Sequence, residues 1–554
     1  MRSTKQQAWI ENHAIKPEWL ELARRVMGEI RDGAVVMDAL RRHPLESGGY
    51  LGKYVLVAAY HEMVHHGELH SDTQLLERLR MKPVRTLSGV TTVTVLTKPY
   101  PCPGKCIFCP TDARMPKSYL PDEPGAMRGL EHDFDPYAQV RSRIAALENL
   151  GHPTDKIELL ILGGTWSSYK RDYQQWFVRR CFDAMNEGEQ AEDHRSRRET
   201  PYLNGAELNE GVRLQQAQAA NENAAHRNVG LVIETRPDEI TADEVRWQRR
   251  LGVTKVQLGA QSLNDRILEL NQRGHNAECT RRATALLRAA GFKIVLHWMP
   301  NLHGATPDSD REDFGRLWNG LCPDEIKIYP NQLLANADLH QYWLRGEFSP
   351  YTTSQLIDLL ADIKPTIPRY CRVNRVIRDI PSTNVVEGNR RTSLRQDIHR
   401  ELRRRGARCQ CLRCREVRGR EIDAESLQLH DLAYPADHAL EHFLSFDTPD
   451  DRLAGFLRLS LPYRTAPQTG LRELEAAAIV REVHVYGQSL AVGAEKIGSP
   501  QHAGLGTRLL ERASAIARQA GFARLAVIAA VGTRKYYLER GFQRGDLYLS
   551  KELS

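Results

Sequence analysis

The chain has 554 residues, 41% of them hydrophobic and 7% aromatic, and a net charge of +7. A single core stops growing near ~250–300 residues, so several soluble domains are expected. The first thirty residues are charged throughout without an apolar core of signal-peptide length, and no run of ~18 apolar residues occurs, so neither a secretion leader nor a membrane span is expected. The expectation is a cytoplasmic protein with reduced thiols, in which clustered cysteines read as metal ligands and not as disulfides.

In chain order, residues 1–85 read as a basic helical segment, with "PEWLELARRVMGEI" and "SDTQLLERLR" as amphipathic helices. The β-branched run "GVTTVTVLT" (89–97) then leads straight into "PYPCPGKCIFCPTDARMPKS" (100–119). From there strand and helix alternate. The apolar runs "IELLILGG" (157–164), "VGLVIETRP" (229–237), "KVQLGAQS" (255–262), "KIVLHWMP" (293–300), "EIKIYP" (325–330) and "YCRVNRVIRDIP" (370–381) are separated by helical patterns, one opened by a capping box at Thr241 and Glu244. Six or seven such units predict an α/β domain over 86–380, a full or partial TIM-type barrel. Residues 187–227, rich in Gln, Asn and charge, read as a partly helical surface insertion. After a basic linker at 381–425, residues 426–554 change to antiparallel strands, a Gly-bearing turn "QHAGLG", a strong amphipathic helix and a short closing strand–helix–strand pattern, an α+β domain.

Three cysteines, Cys102, Cys106 and Cys109, lie within eight residues. At C-x3-C-x2-C spacing on a loop leaving a strand, each thiolate can bind one iron of a 4Fe–4S cubane, and the fourth iron stays open to a small molecule. A structural zinc would need a fourth ligand from elsewhere, and three unrelated free thiols are the plainer alternative. A second group, Cys409, Cys411 and Cys414 in "CQCLRC", has zinc-like spacing; Cys322 is the expected fourth ligand, with Cys371 and His399 as rivals. Cys181 and Cys279 lie in helical patterns and read as packing residues.

Between residues 361 and 420 there are 17 Lys or Arg against 6 Asp or Glu, an excess of 11 that leaves the remainder of the chain near −4. Most of it lies in 389–420. A solvated helix face is the ordinary reading of such a run, but this density points to a phosphate-backbone partner, whose binding should weaken steeply with salt.

The cysteine spacing, the strand before it and the βα units after it together resemble the radical S-adenosylmethionine enzymes. That resemblance implies a cluster whose open iron binds the cofactor, with "GGT" (Gly163, Gly164, Thr165) as the glycine-rich loop against its methionine end. "QHAGLG" (501–506) resembles the Q/R-x-x-G-x-G/A signature of the GCN5-related acetyltransferases. By this second resemblance Glu482, Val483, His484 and Val485 offer backbone hydrogen bonds to the pantetheine arm of acetyl-CoA. Gln501, Gly504, Leu505, Gly506 and Thr507 lie at its pyrophosphate, and Tyr536 or Tyr537 lies near the thioester sulfur as a proton donor.

The order of the three parts, with "RTLSGVTTVTVLTKP", "DKIELLILGGT", "IETRPD", "LGAQSLND", "NQRGH", "IKIYP", "RVIRDIP" and "REVHVYG", resembles the catalytic subunit of Elongator, the Elongator protein 3 family. The family implies a tRNA-modifying enzyme that joins the two chemistries. Acetyl-CoA places its acetyl end at the barrel mouth, a 5′-deoxyadenosyl radical takes hydrogen from the acetyl methyl, and the carbon radical adds to carbon 5 of the wobble uracil. Thioester hydrolysis then leaves 5-carboxymethyluridine. Lys156 is implied at the thioester, and a structural zinc at the second cysteine group. The implied partner is the anticodon stem-loop of tRNA, a single-stranded target whose base is splayed out. Monomer, homodimer and Elongator-type partner subunits are left open. Two other readings compete: a protein lysine acetyltransferase with a structural iron–sulfur barrel, and a non-catalytic tRNA-binding assembly subunit.

Overall fold

The computed structural model describes residues 15–45, 48–83, 86–187, 210–418, 420, 422–486 and 504–553. The chain divides into two compact units, Met1–Thr91 with Ser142–Thr154, and Thr92–Arg141 with Asp155–Ser554.

The first unit is helical. Helices Pro17–Arg31, Val36–Arg42, Lys53–His65 and Thr73–Leu79 bury one core that includes Ala23, Val26, Met27, Ile30, Leu56, Ala59, Leu75 and Leu79. The three-and-four spacing of 23, 26, 27 and 30 puts those side chains on one stripe. Pro17 opens the first helix where a missing N–H is harmless, and the Asp72 carboxylate caps the last by accepting from the Gln74 and Leu75 amides at 2.9 and 3.0 Å. Residues 142–154 belong to this unit although chain order puts them inside the 86–380 stretch: Arg80 Nε donates to Gly151 O at 2.9 Å, and Thr86 Oγ1 meets His152 Nδ1 at 2.9 Å.

In the second unit seven strands form one sheet in chain order: β1 (Thr91–Leu96), β2 (Lys156–Leu162), β3 (Arg227–Thr235), β4 (Lys255–Gln261), β5 (Lys293–Trp298), β6 (Glu325–Ile328) and β7 (Arg372–Arg375). β2 to β7 pair in parallel, so this is an open, partial barrel. Every expected strand is present, but the last is short, because Ile380 leaves the sheet to pack with Leu120, Leu334, Ala337 and Val385. The Thr241 hydroxyl caps helix Ala242–Leu251 by accepting from Glu244 N at 3.1 Å, and Gly252 ends it at φ +92°. The Glu244 carboxylate accepts from Gln248, so only half of the expected capping box forms.

Barrel interiors are ordinarily filled by branched apolar side chains. Here the concave side is charged, as contacts that skip an intervening strand show. Lys255 on β4 reaches Glu158 on β2 at 2.5 Å and Glu325 on β6 at 3.4 Å, and Lys293 meets Glu325 at 2.6 Å. One layer further along, Lys327 donates to Gln257, His297 Nε2 lies 2.9 Å from the same carboxamide oxygen, and His297 Nδ1 lies 3.7 Å from Glu234.

A second seven-stranded sheet follows. β8 (Gln428–Ala436), β9 (Ala439–Asp447), β10 (Leu453–Pro462) and β11 (Ala477–Val485) pair antiparallel, turning at His438 and Asp451 with φ of 65° and 64°. β11 pairs in parallel with β12 (Arg524–Val527) only from Ala477 to Val480, and β13 (Gln543–Arg544) and β14 (Leu549–Glu552) close the sheet. Helix Leu505–Gln519 buries Leu505, Leu509, Ala513, Ile516 and Ala517. This sheet meets the amino-terminal ends of the parallel strands. Arg481 Nη1 donates to Phe292 O at 3.0 Å, and Arg458 Nη2 donates to Tyr370 O at 2.8 Å, residues just ahead of β5 and β7. The cysteine loop leaves the opposite, carboxyl end of β1. At ~3.3 Å per residue a seven-residue strand separates the two rims by about 20 Å.

Candidate active site

At the carboxyl rim the cysteine loop is pinned on both sides of Ile107, whose amide donates to Asn271 O at 3.3 Å and whose carbonyl accepts from Leu339 N at 2.8 Å. Cys106 is buried, whereas Cys102 and Cys109 are half-buried. Cys102 Sγ lies 3.4 Å from Thr165 Oγ1 and from the Gly104 amide. Gly163 has φ +141° and a Cβ there would collide with Thr97 Oγ1, so only glycine lets the β2 turn come this close. The expected "GGT" turn therefore meets the cysteine loop.

Two buried arginines that sequence reasoning passed over face the same sulfurs. Arg273 Nη1 lies 3.5 Å from Cys106 Sγ while Nη2 donates to Gly259 O at 2.5 Å. Arg236 is held by Asp238 at 2.9 and 2.7 Å and by Arg273 O at 2.9 Å, and its Nη1, buried, has no hydrogen-bond partner. Both sit inside the motifs "IETRPD" and "NQRGH"; Arg236 directly follows β3, which was an available signal, whereas Arg273 follows the helix Asp265–Leu270 and carried none.

These observations fit an iron–sulfur cubane. Each cysteine of such a site ligates a different iron, so its sulfurs lie farther apart than around a single ion. Among the described residues the one group of three or more such ligands within 4.8 Å of one another is Cys409, Cys411 and Cys414, not the first triad. A cluster with three thiolates is anionic and needs the cationic surroundings that Arg236 and Arg273 supply. Burial pushes the Cys109 thiol up to about 12, with Cys106 adding to the rise, so metal loading must displace its proton.

At the amino rim the ladder from β11 to β12 ends at Val480, while Glu482, Val483, His484 and Val485 continue to pair with β10. The expected pantetheine segment therefore lies where the two strands splay apart. The Glu482 side chain is ion-paired with Lys293 and with Arg458 Nε at 2.9 Å. Gly504, at φ +66°, precedes helix Leu505–Gln519, whose first amides, Gly506 and Thr507 among them, have no intrahelical acceptor. Leu505 is fully buried, so its side chain is core. A Cβ at Gly506 would collide with the Tyr536 hydroxyl. Arg540 stacks on Tyr536 at 3.7 Å and donates to Thr507 Oγ1 at 3.1 Å. Tyr537 is buried against Phe542, which makes Tyr536 the better placed of the pair. Burial raises both phenols above the ordinary range, so both stay protonated at neutral pH. Lys156 opens β2 on this same rim and is lowered by burial. Gln501 lies outside the described residues.

Cys409, Cys411 and Cys414 come together as expected. Hydrogen bonds from Cys409 and Cys414 hold the Cys411 thiol below its ordinary range. Lys364 is fully buried and its ammonium has no hydrogen-bond partner, and its field also favours the Cys411 thiolate. Cys322 does not complete this group, contrary to expectation. Its thiol donates to Trp318 O and Pro435 O at 3.5 and 3.6 Å, because the turn after Trp318 aims it at β8. Cys371 and His399 remain as candidates: Cys371 O accepts from Leu412 N at 3.0 Å, and burial lowers His399 to about 4.

The basic band is more internally partnered than its charge count implies. Arg395 and Arg413 donate to the carbonyls of Val373 and Asn374. Arg405 pairs with Asp358 and Asp362, and Arg415 with Asp447. Arg400 and Arg404 are about two-thirds to three-quarters exposed despite their helix partners. His61 and His65 form an H-E-x-x-H spacing, but Glu62 is held by Arg24 at 3.2 Å and His61 lies 3.3 Å from Glu148 O, and among the described residues no third ligand gathers with them. Among the described residues no helix is long and apolar enough to cross a membrane.

A family model described as the radical SAM superfamily matches residues 100–317, and one described as the radical SAM C-terminal domain matches 323–404. The half-barrel and the cysteine loop thus define a radical S-adenosylmethionine enzyme. The chain is 40% identical over 497 residues to the tRNA uridine(34) acetyltransferase of Methanocaldococcus infernus, covering 86% of this chain and 88% of that one. It is 34% identical over 504 residues to Elongator complex protein 3 of Danio rerio, covering 87% and 88%. The solved structure of archaeal Methanocaldococcus infernus Elp3 with an N-terminal deletion superposes with a TM-score of 0.69 at 36% identity, over 84% of this chain and all of that one. The chain belongs to the Elongator protein 3 family.

Proposed function

We propose that the chain uses acetyl-CoA and S-adenosylmethionine to build 5-carboxymethyluridine at uridine 34 of tRNA. The observation that supports this most is the pairing of a cationic three-cysteine loop on one rim with a splayed-strand cradle on the other. Cys102, Cys106 and Cys109 hold a 4Fe–4S cluster, which when bound supplies the electron that cleaves S-adenosylmethionine to its 5′-deoxyadenosyl radical. Gly163, Gly164 and Thr165 bring backbone close to the cofactor's methionine end. The second sheet is a GCN5-type acetyltransferase domain. In it the splayed segment of residues 482–485 holds the pantetheine arm, and Gly504, Gly506, Thr507 and the helix N-terminus hold the pyrophosphate. Tyr536, kept protonated, donates to the leaving thiolate, and Lys156 orients the thioester from β2. The polar concave side lies between these ends, and the acetyl group stays on coenzyme A until water hydrolyses the thioester after the carbon–carbon bond has formed, so that coenzyme A leaves as the thiol.

The test is anaerobic reconstitution with S-adenosylmethionine, acetyl-CoA and unmodified tRNA, read by mass spectrometry of the nucleosides. A carboxymethyl group on uridine 34 is expected. Acetylation of peptide amines without any nucleoside change would instead select a protein acetyltransferase.

Gly506→Ala should push the Tyr536 hydroxyl aside and weaken acetyl-CoA binding about tenfold, or about 1.4 kcal/mol. Calorimetry with acetyl-CoA checks this, and an unchanged Kd removes the helix N-terminus from the site. Cys409, Cys411 and Cys414 hold a structural zinc with Cys371 or His399, the buried Lys364 ammonium answering its negative charge. Cys411→Ser is therefore expected to lose one zinc per chain and to lower the Tm. Metal analysis beside a thermal melt reads both, and full zinc content in the variant contradicts the assignment.

A further inference from the structure

We propose that Arg236 and Arg273 are positioning residues that set the reduction potential of the iron–sulfur cluster on Cys102, Cys106 and Cys109. The proposal rests on the cluster-binding part of the function above and not on the tRNA product. Both residues are about 5% exposed. Arg273 Nη1 lies 3.5 Å from Cys106 Sγ. A Cβ at Gly104 would collide with Arg236 Nη1 and would itself lie 3.6 Å from Cys102 Sγ, so the guanidinium stands against the loop that carries this sulfur. Neither group is free to turn away, because Asp238 grips Arg236 through two nitrogens, and Gly259 O and Arg273 O accept from the outer ones. Among the described residues Arg236 Nη1 and Arg273 Nε, both buried, have no hydrogen-bond partner.

Two cations thus stand fixed beside a group that must take up one further electron while already anionic. Charge and N–H donors at cluster sulfurs favour the reduced form, more so where water is excluded. The residue at 104 has to be glycine for the same reason: a methyl there would move Arg236 from the sulfur. The pair makes the cluster easier to reduce, and the electron comes from the external one-electron donor.

The test is potentiometry followed by electron paramagnetic resonance on the full-length, anaerobically reconstituted protein, using dithionite and mediators, without tRNA or acetyl-CoA. Arg273→Met and Gly104→Ala should each lower the midpoint potential by at least 59 mV, a tenfold loss in the one-electron reduction constant. Arg273→Gln, which keeps a donor but no charge, should fall between. Iron content is measured in parallel. Should Arg273→Met not take up iron, the Gln and Gly104 variants decide. Unchanged potentials at full iron content overturn the proposal, as does a shift seen only after S-adenosylmethionine is added, which would give the guanidiniums to the cofactor's carboxylate. A wild-type protein that assembles no cluster sinks the proposed function as well.

Discussion

Cys106→Ala is expected to abolish iron–sulfur assembly, 5′-deoxyadenosine formation and the carboxymethyl product together, while tRNA binding changes less than about twofold. Cys106 is the buried member of its triad, set between the pinned Ile107 and Arg273. Two remaining thiolates leave two irons of a cubane without protein ligands. The substitution also leaves a buried guanidinium donor unanswered, at about 1–3 kcal/mol, so a modest fall in Tm should accompany the loss. Phosphate contacts set RNA affinity, and under the proposed function they fall to exposed arginines such as Arg400 and Arg404, away from the cysteine loop, which separates this outcome from misfolding. Because burial raises the Cys109 thiol to about 12, loading must release protons, and assembly yield should rise with pH. Iron analysis, nucleoside mass spectrometry and a filter-binding assay check the three parts, and product from an iron-loaded alanine variant would refute the site.

Asp324→Asn is expected to cost about 3–5 kcal/mol, the range for breaking a buried ion pair by removing one partner. Asp324 is fully buried just ahead of β6. It accepts from Arg481 at 2.6 and 2.7 Å and from Ile294 N at 2.8 Å, with Arg458 at 3.4 Å. Arg481 also pairs with Glu441 at 2.6 Å. An amide leaves two guanidiniums with too little negative charge, at the contact between the two sheets. The Arg481 and Arg458 charges outweigh burial and hold Asp324 well below the carboxylate range, as Lys255 and Lys293 do for Glu325. A depressed carboxylate contributes stability that is fully present above its unfolded value, about 4, and lost as pH falls through the folded one. The wild type should therefore lose stability steeply below about pH 4, and the Asn variant less steeply. Urea unfolding at pH 7 and pH 3 measures both, and equal slopes would contradict the account.

The parallel strands were legible because each is a short apolar run between helical patterns, a signal that depends only on local burial. The cysteine spacing was legible because one loop must present three ligands to one cluster. Cys322 misled because ligand completion depends on where two distant turns end up, which spacing does not encode. The arginines of 389–420 were legible as a band but not one by one. A charge count cannot tell Arg403, on an exposed helix face, from Arg415, buried against Asp447. Arg236 and Arg273 stayed hidden since a buried arginine looks in sequence like a surface one. Nor could the sequence say at which end of the strands the second sheet sits, for that choice is made by Arg458 and Arg481 meeting Asp324.

That last arrangement bears on how the protein can be dissected. Severing the polypeptide near residue 425 would put Asp324 on one fragment and Arg458 and Arg481 on the other, leaving the carboxylate in water without either guanidinium while the arginines keep only Glu482 and Glu441. Truncations meant to apportion activities between halves would report on damaged pieces. Point substitutions in the intact chain are the safer scalpel.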